Sequence, residues 1–128
     1  MRFLLDTCTF LWWMAEPGRL SQRARGLLLD RGHEFYLSVV SAWEISVKYA
    51  AGRLPLPLPP AEYVPSRRRV CGITALPLTE QEAVHVPRLP KIHSDPFDRM
   101  LICQAIVHGL PVLTPDPQIA QYPIRVVW

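Results

Sequence analysis

Apolar residues in this chain follow two rhythms. Compact runs bounded by turn residues alternate with longer stretches whose ends carry capping residues, Gly or Pro, which is the pattern of strands alternating with helices. Arg2–Leu5 predicts a first strand, residues 7–14 a short apolar helix, and Glu16-Pro17-Gly18 a break. Ser21 is placed to cap a helix through Arg31 that Gly32 ends. Residues 35–40, rich in aromatic and β-branched side chains, predict a second strand, after which Ser41 caps a helix running to Gly52.

The second half keeps the alternation. Residues 53–60 hold four prolines, whose fixed φ and missing N–H groups forbid a regular helix, so this stretch is a connector. A basic helix over residues 61–70 follows, limited or kinked by Pro65, and then a third strand over residues 73–76. Thr79-Glu80-Gln81-Glu82 has the form of a capping box opening a short helix to about Val86. Asp95-Pro96 opens the best-marked helix, with Pro at its first position and Gly109 beyond its end. Val112–Leu113 and residues 124–127 complete five strands. Strands separated by helices imply a parallel α/β sheet with right-handed crossovers, and such sheets bind ligands beyond the carboxyl ends of their strands.

Composition narrows this picture. A chain of 128 residues suits one domain, here taken as residues 1–128. No apolar stretch approaches the roughly 20 residues needed to cross a bilayer, and Asp6 cuts the apolar start too early for a secretory leader, so a cytoplasmic protein with no membrane partner is expected. Three scattered cysteines make neither a disulfide framework nor a zinc site. The net charge is only +3, but twelve of the fourteen basic residues are Arg, whose planar fork suits phosphate; this tilts the expectation modestly toward nucleic acid.

The chemistry is in the acids. Of five Asp residues only Asp30 lies away from a strand-to-helix junction. Asp6 follows the first strand and suits either a ligand role or the N-cap of the next helix. Glu44, taken alone, reads as the third residue of a capping box begun by Ser41. Asp95 is the better N-cap of its helix, which leaves Asp98 free to face the sheet edge. Asp116, between two prolines, suits a turn as well. Together, Asp6, Glu44, Asp98 and Asp116 would converge at one sheet edge, where mutual repulsion costs stability unless a hard divalent cation such as Mg²⁺ or Mn²⁺ offsets it.

The segments Leu4-Leu5-Asp6-Thr7, Ser41-Ala42-Trp43-Glu44-Ile45 with Lys48, His93-Ser94-Asp95-Pro96-Phe97-Asp98-Arg99 and Thr114-Pro115-Asp116 with Tyr122 resemble, in order, the landmarks of the PIN-domain family. Within it they are most similar to VapC-like ribonuclease toxins of type II toxin–antitoxin modules. The resemblance implies a three-layer α/β/α fold around a parallel five-stranded sheet. It also implies an acidic site of Asp6, Glu44, Asp98 and Asp116 holding Mg²⁺ or Mn²⁺, an RNA substrate, a small antitoxin partner and a homodimer.

On that reading Asp6, Asp98 and Asp116 hold metal and Glu44 serves a water. Around them, Thr7, Thr114, Arg99, Lys48 and His93 are expected to touch substrate or brace the site; bracing is favoured for His93. Arg99 suits either a phosphate or a salt bridge to a nearby acid, and Lys48 an i,i+4 pair with Glu44. Trp12 and Trp13, being adjacent, are not expected to enter the same core. Two rival readings are a noncatalytic PIN-like module that binds RNA or protein, and a phosphatase using Asp6 as nucleophile. The second normally needs another Asp two residues on, where this chain has Cys8.

Overall fold

Along the first strand, Phe3 and Leu5 point to one side and Leu4 to the other, and all three are almost fully buried. That strand is therefore covered on both faces, as parallel α/β sheets require. A computed structural model describes residues Met1–Trp128 and shows five strands: β1 (Arg2–Leu5), β2 (Glu34–Ser38), β3 (Thr74–Leu76), β4 (Val112–Leu113) and β5 (Val126–Val127). All pairings are parallel, in the order β3-β2-β1-β4-β5. The sheet grows outward from β1 in one direction and then, through β4, in the other. The crevice at the carboxyl ends of β1 and β4 is thus the switch point at which such sheets bind ligands.

Six α-helices flank the sheet: α1 (Thr7–Ala15), α2 (Gln22–Leu29), α3 (Val39–Ala50), α4 (Pro60–Val70), α5 (Glu80–Ala83) and α6 (Pro96–His108). Phe3, Leu5, Phe35 and Leu37 pack with Phe10 of α1, Ala24 and Leu28 of α2, Ile45 of α3, and Tyr63 and Val64 of α4. On the other face Leu4 and Val112 pack with Val40, Leu101 and Ala105. The result is three layers, α/β/α. No helix is long and apolar enough to cross a membrane.

The structure departs from the sequence reading in instructive places. Ser38, not Ser41, caps α3, its hydroxyl accepting the N–H of Val40 at 3.0 Å. Pairing of Ser38 with Leu76 ends β2 there, and Ser41 lies inside the helix, fully buried. The capping box assigned to Glu44 therefore does not exist. Pro65 sits within α4 and does not end it; the helix loses one i→i−4 bond but is pinned to the core by Tyr63 and Val64. Helix α5 stops at Ala83, and a separate 3-10 turn, Val86–Arg88, begins beside Pro87. Trp12 and Trp13 both pack on the same core after all, Trp12 edge-on to Trp128 and Trp13 edge-on to Phe35. The exposed tryptophan is Trp43, 57% accessible, leaning on Phe97.

One buried acid serves the fold alone. Glu82 is completely enclosed: its Oε2 accepts the N–H of Thr79 at 3.1 Å together with the Thr79 hydroxyl, and its Oε1 lies 2.7 Å from His108 Nε2. Burial alone would raise its pKa, but the His108 hydrogen bond and the backbone donors outweigh that and hold it below the usual value. Both oxygens are partnered, and the bond to His108 clasps α5 to α6.

Candidate active site

Each acid at the carboxyl edge is placed by a different local device. Asp6 is the first residue past β1, and its Oδ1 accepts the Thr7 N–H at 2.7 Å, capping α1. Its Oδ2 accepts the Thr114 hydroxyl at 2.7 Å, from the loop after β4, and the Cys8 thiol at 3.4 Å. Of the two roles left open by the sequence the cap is filled, and the capping carboxylate lies at the switch point, where the second remains open to it. Thr7 uses its own hydroxyl to bond Ser41 at 2.8 Å, locking α1 to α3. That bond is why Ser41 is buried, and it sets Glu44 one turn further along the same helix, facing inward.

Asp95 caps α6, its Oδ1 accepting the N–H groups of Phe97 at 2.9 Å and Asp98 at 3.1 Å. Asp98 is thereby relieved of capping and turns toward the sheet edge. Asp116 accepts the N–H of Gln118 at 2.8 Å through Oδ1, so it holds its turn as the proline context suggested while still bordering the site. Asp6, Glu44, Asp98 and Asp116 line one cleft of about 390 Å³ with Asp95, Thr7, Cys8, Lys48 and Arg53. A second hollow of about 400 Å³, lined by Trp13, Leu20, Leu28 and Arg25 among others, holds no acid.

The flanking residues sort into braces and one free rim. His93 Nε2 lies 3.0 Å from Asp98 Oδ2, and its Nδ1 lies 2.7 Å from the Tyr122 hydroxyl. That hydroxyl accepts from Arg99 at 3.0 Å, so its single proton is free for His93 Nδ1, which leaves the neutral ring's N–H on Nε2, aimed at Asp98. Arg99 also donates to the carbonyls of Pro90 and His93. It therefore pairs with no acid, and through Nη1 it stiffens the loop that holds His93. Tyr122 is the residue whose role sequence reasoning missed: its place in the pattern was visible, but nothing in the order of residues shows a bond spanning 29 positions.

The cleft is electrostatically loaded. Burial raises the pKa of Asp6, and Glu44 pushes the same way, although the hydrogen bonds from Thr114, Cys8 and Thr7 oppose it. Asp98 is pushed up to about 6, first by burial and then by Asp6, Asp95 and Glu44, with His93 opposing. Burial also raises the Cys8 thiol, with the Asp6 charge adding to it, so Cys8 is no nucleophile. Lys48 shows the opposite balance: burial lowers its pKa, but the hydrogen bond and charge of Glu44, with Asp95 and Asp98, raise it overall.

Whether these residues suit a cation can be judged from Glu44. Its Oε2 is 2.5 Å from Lys48 Nζ, but its Oε1 is buried with no hydrogen-bond partner, a costly arrangement for a carboxylate. The donors that line the cleft are oxygens, and the acids crowd one another, which suits a hard divalent ion. No three His, Cys, Asp or Glu side chains stand close enough to enclose an ion directly. An ion here would therefore have to take much of its coordination from water, as Mg²⁺ can.

Comparison with known proteins agrees with this architecture. Residues 3–124 match the PIN domain. Ribonuclease VapC22 of Mycobacterium tuberculosis is 30% identical over 122 residues, 93% of this chain and 90% of that protein. Ribonuclease VapC16 of the same organism is 41% identical over 61 residues, only 48% of this chain and 43% of its own length. Among solved structures, VapBC2 from Rickettsia felis bound to a promoter DNA fragment superposes with a TM-score of 0.72 at 12% identity, covering 99% of this chain and 98% of that one. DNA-bound VapBC from Salmonella typhimurium gives 0.69 at 21% identity, covering 99% and 97%. With the family matched along nearly its whole length, this chain belongs to the PIN-domain family.

Proposed function

We propose that the protein is a Mg²⁺- or Mn²⁺-dependent endoribonuclease that acts in the cytoplasm as the toxin of a type II toxin–antitoxin pair. The observation that carries this reading is the unpartnered, buried Oε1 of Glu44 in a cleft with Asp6, Asp98 and Asp116. Asp6, Asp98 and Asp116 are the residues that would hold the ion, directly or through water. When bound there, the ion supplies positive charge against the phosphoryl oxygens and acidifies water.

The chain's own groups do the rest. Asp6 is fixed at both oxygens by Thr7 and Thr114, and Asp98 by His93, so the carboxylates keep their positions as substrate enters. Glu44, whose carboxylate borders the cleft, accepts the proton of the attacking water. The water oxygen bonds to phosphorus as the bond to the leaving ribose oxygen breaks, and that oxygen takes a proton from solvent. Arg53 and Lys48, on the rim of the cleft, supply positive charge along the RNA backbone.

The similar proteins from Mycobacterium tuberculosis are called ribonucleases, and the two solved neighbours named above are VapBC assemblies, which supports an antitoxin partner here; the homodimer is part of the proposal. The test is incubation of purified protein with structured RNAs in Mg²⁺, beside the same sample in EDTA and an Asp98→Asn variant. Cleavage in the first sample only is expected. Equal RNA loss in all three would sink the nuclease reading, and RNA binding without cleavage in every sample would leave a noncatalytic module in its place.

A further inference from the structure

A Lys four residues after a Glu on a helix is usually a solvent-exposed pair with little effect on anything else. The pair in α3 differs in three respects. Glu44 is not on the surface: its side chain is only 6% exposed, whereas that of Lys48 is 46% exposed, so a half-exposed ammonium is paired with a buried acid. Only one of the two Glu44 oxygens is satisfied, and the one left bare is buried. Lys48 also lines the same cleft as Asp6, Asp95, Asp98 and Asp116, and of the two cations there, Lys48 and Arg53, it is the one already paired with a cleft acid.

A monovalent ammonium and a hydrated divalent ion cannot share that space without repulsion, and both are drawn by the same acids. We propose that Lys48 is an exchangeable counter-ion: it neutralises the metal-free cleft through Glu44, competes there with the divalent ion, and on displacement becomes a phosphate-binding group for the RNA. This rests on the metal-dependent reading above and adds a role for a residue outside the acidic set. Its long, flexible stem suits the change of partner, since a half-exposed lysine can swing from Glu44 toward solvent without disturbing the core. Arg53 lies on the same rim and enters no ion pair, so a released Lys48 would join a cation already available to the backbone of the substrate.

The exchange makes a prediction opposite in sign to that of an orienting residue. If Lys48 merely held Glu44 in place for the ion, its removal would weaken metal binding; as a competitor, its removal strengthens it. Calorimetric titration of Mn²⁺ into the EDTA-stripped full chain is therefore made with the wild type, Lys48→Met, Lys48→Gln and Lys48→Arg. The two neutral variants are expected to bind Mn²⁺ about tenfold more tightly, and Lys48→Arg to match the wild type. At saturating Mn²⁺, both neutral variants should show a KM for RNA raised several-fold, with kcat changed less. Two neutral variants guard against one of them folding poorly, and thermal melts in EDTA report that directly. Unchanged or weaker Mn²⁺ binding in a folded neutral variant overturns the exchange, and so does an unchanged KM. A wild type that binds no Mn²⁺ at all overturns the metal-dependent reading itself, and this inference with it.

Discussion

A buried carboxylate, Glu82, and a half-buried one, Asp98, each face a histidine, and they have opposite characters. Glu82 is enclosed between α5 and α6 with both oxygens bonded, one to Thr79 and the other to His108. The acids of the cleft stand among like charges, and Glu44 keeps one buried oxygen without a partner. In the first place hydrogen bonds outweigh burial and the pKa falls; in the second, burial and neighbouring charge win and the pKa of Asp98 rises to about 6. Burial and a histidine therefore do not mark a functional acid. What sets the proposed site apart is a coordination left incomplete, at Glu44, in company that repels it.

The largest effect expected from this contrast is on catalysis. Asp98→Asn should lower RNA cleavage at saturating Mg²⁺ by about a thousandfold or more, since a charge proposed to hold the ion is lost. Glu82→Gln, measured in the same assay, should cleave at close to the wild-type rate. Comparable losses in the two variants would erase the distinction.

Next in size is stability. Glu82→Ala removes a carboxylate that satisfies Thr79 and His108, and should cost about 2 kcal/mol, lowering Tm by roughly 5–10 °C in a thermal melt. Asp98→Asn in EDTA should melt at or above the wild-type temperature, because it relieves repulsion in the cleft. A fall in Tm for Asp98→Asn as large as that for Glu82→Ala would show that the cleft acids hold the fold together.

The pH dependence should split the two regions again. Asp98 has a raised folded-state pKa, so its protonated form favours the native state; in EDTA, stability falls as pH rises from about 4 through about 6, and Asp98→Asn flattens that slope. Glu82 has a lowered pKa, so its contribution is present above the ordinary carboxylate value of 4.5 and is lost as pH falls below it. Melts of the wild type and both variants across this range read the two signs separately.

The smallest effect belongs to the brace. Tyr122→Phe removes the hydroxyl that fixes the His93 ring, and should weaken Mn²⁺ binding by only a few-fold while leaving some cleavage. An effect as large as that of Asp98→Asn would move Tyr122 from the support into the centre of the site.

The order of strands and helices was legible in the sequence because Pro, Gly and capping residues punctuate it, as Asp95-Pro96 and Gly109 do around α6. Gly109 adopts φ 65°, the left-handed conformation that its position after the helix called for. The edge acids were legible too, because the topology of a parallel sheet gathers the ends of its strands. Ser41 was misread as the cap of α3 because it and Ser38 both have the right chemistry for one. Sheet pairing to Leu76 and the Thr7 bond decide between them, and neither is local. The Arg99–Tyr122–His93 chain and the Glu82–His108 clasp were invisible for the same reason: they join residues 23 to 29 positions apart. Local rules placed the elements, and long-range bonds decided which polar residues brace and which remain available.

The register of Leu5 against Leu113 has one further consequence. It sets Asp6 beside a loop that carries Asp116, through a bond to Thr114 that spans 108 positions. Until β4 has docked on β1, the chain has Asp6 but neither Thr114 to orient it nor Asp116 to complete the edge. The cleft is thus assembled by long-range strand pairing, and a partly folded chain lacks it.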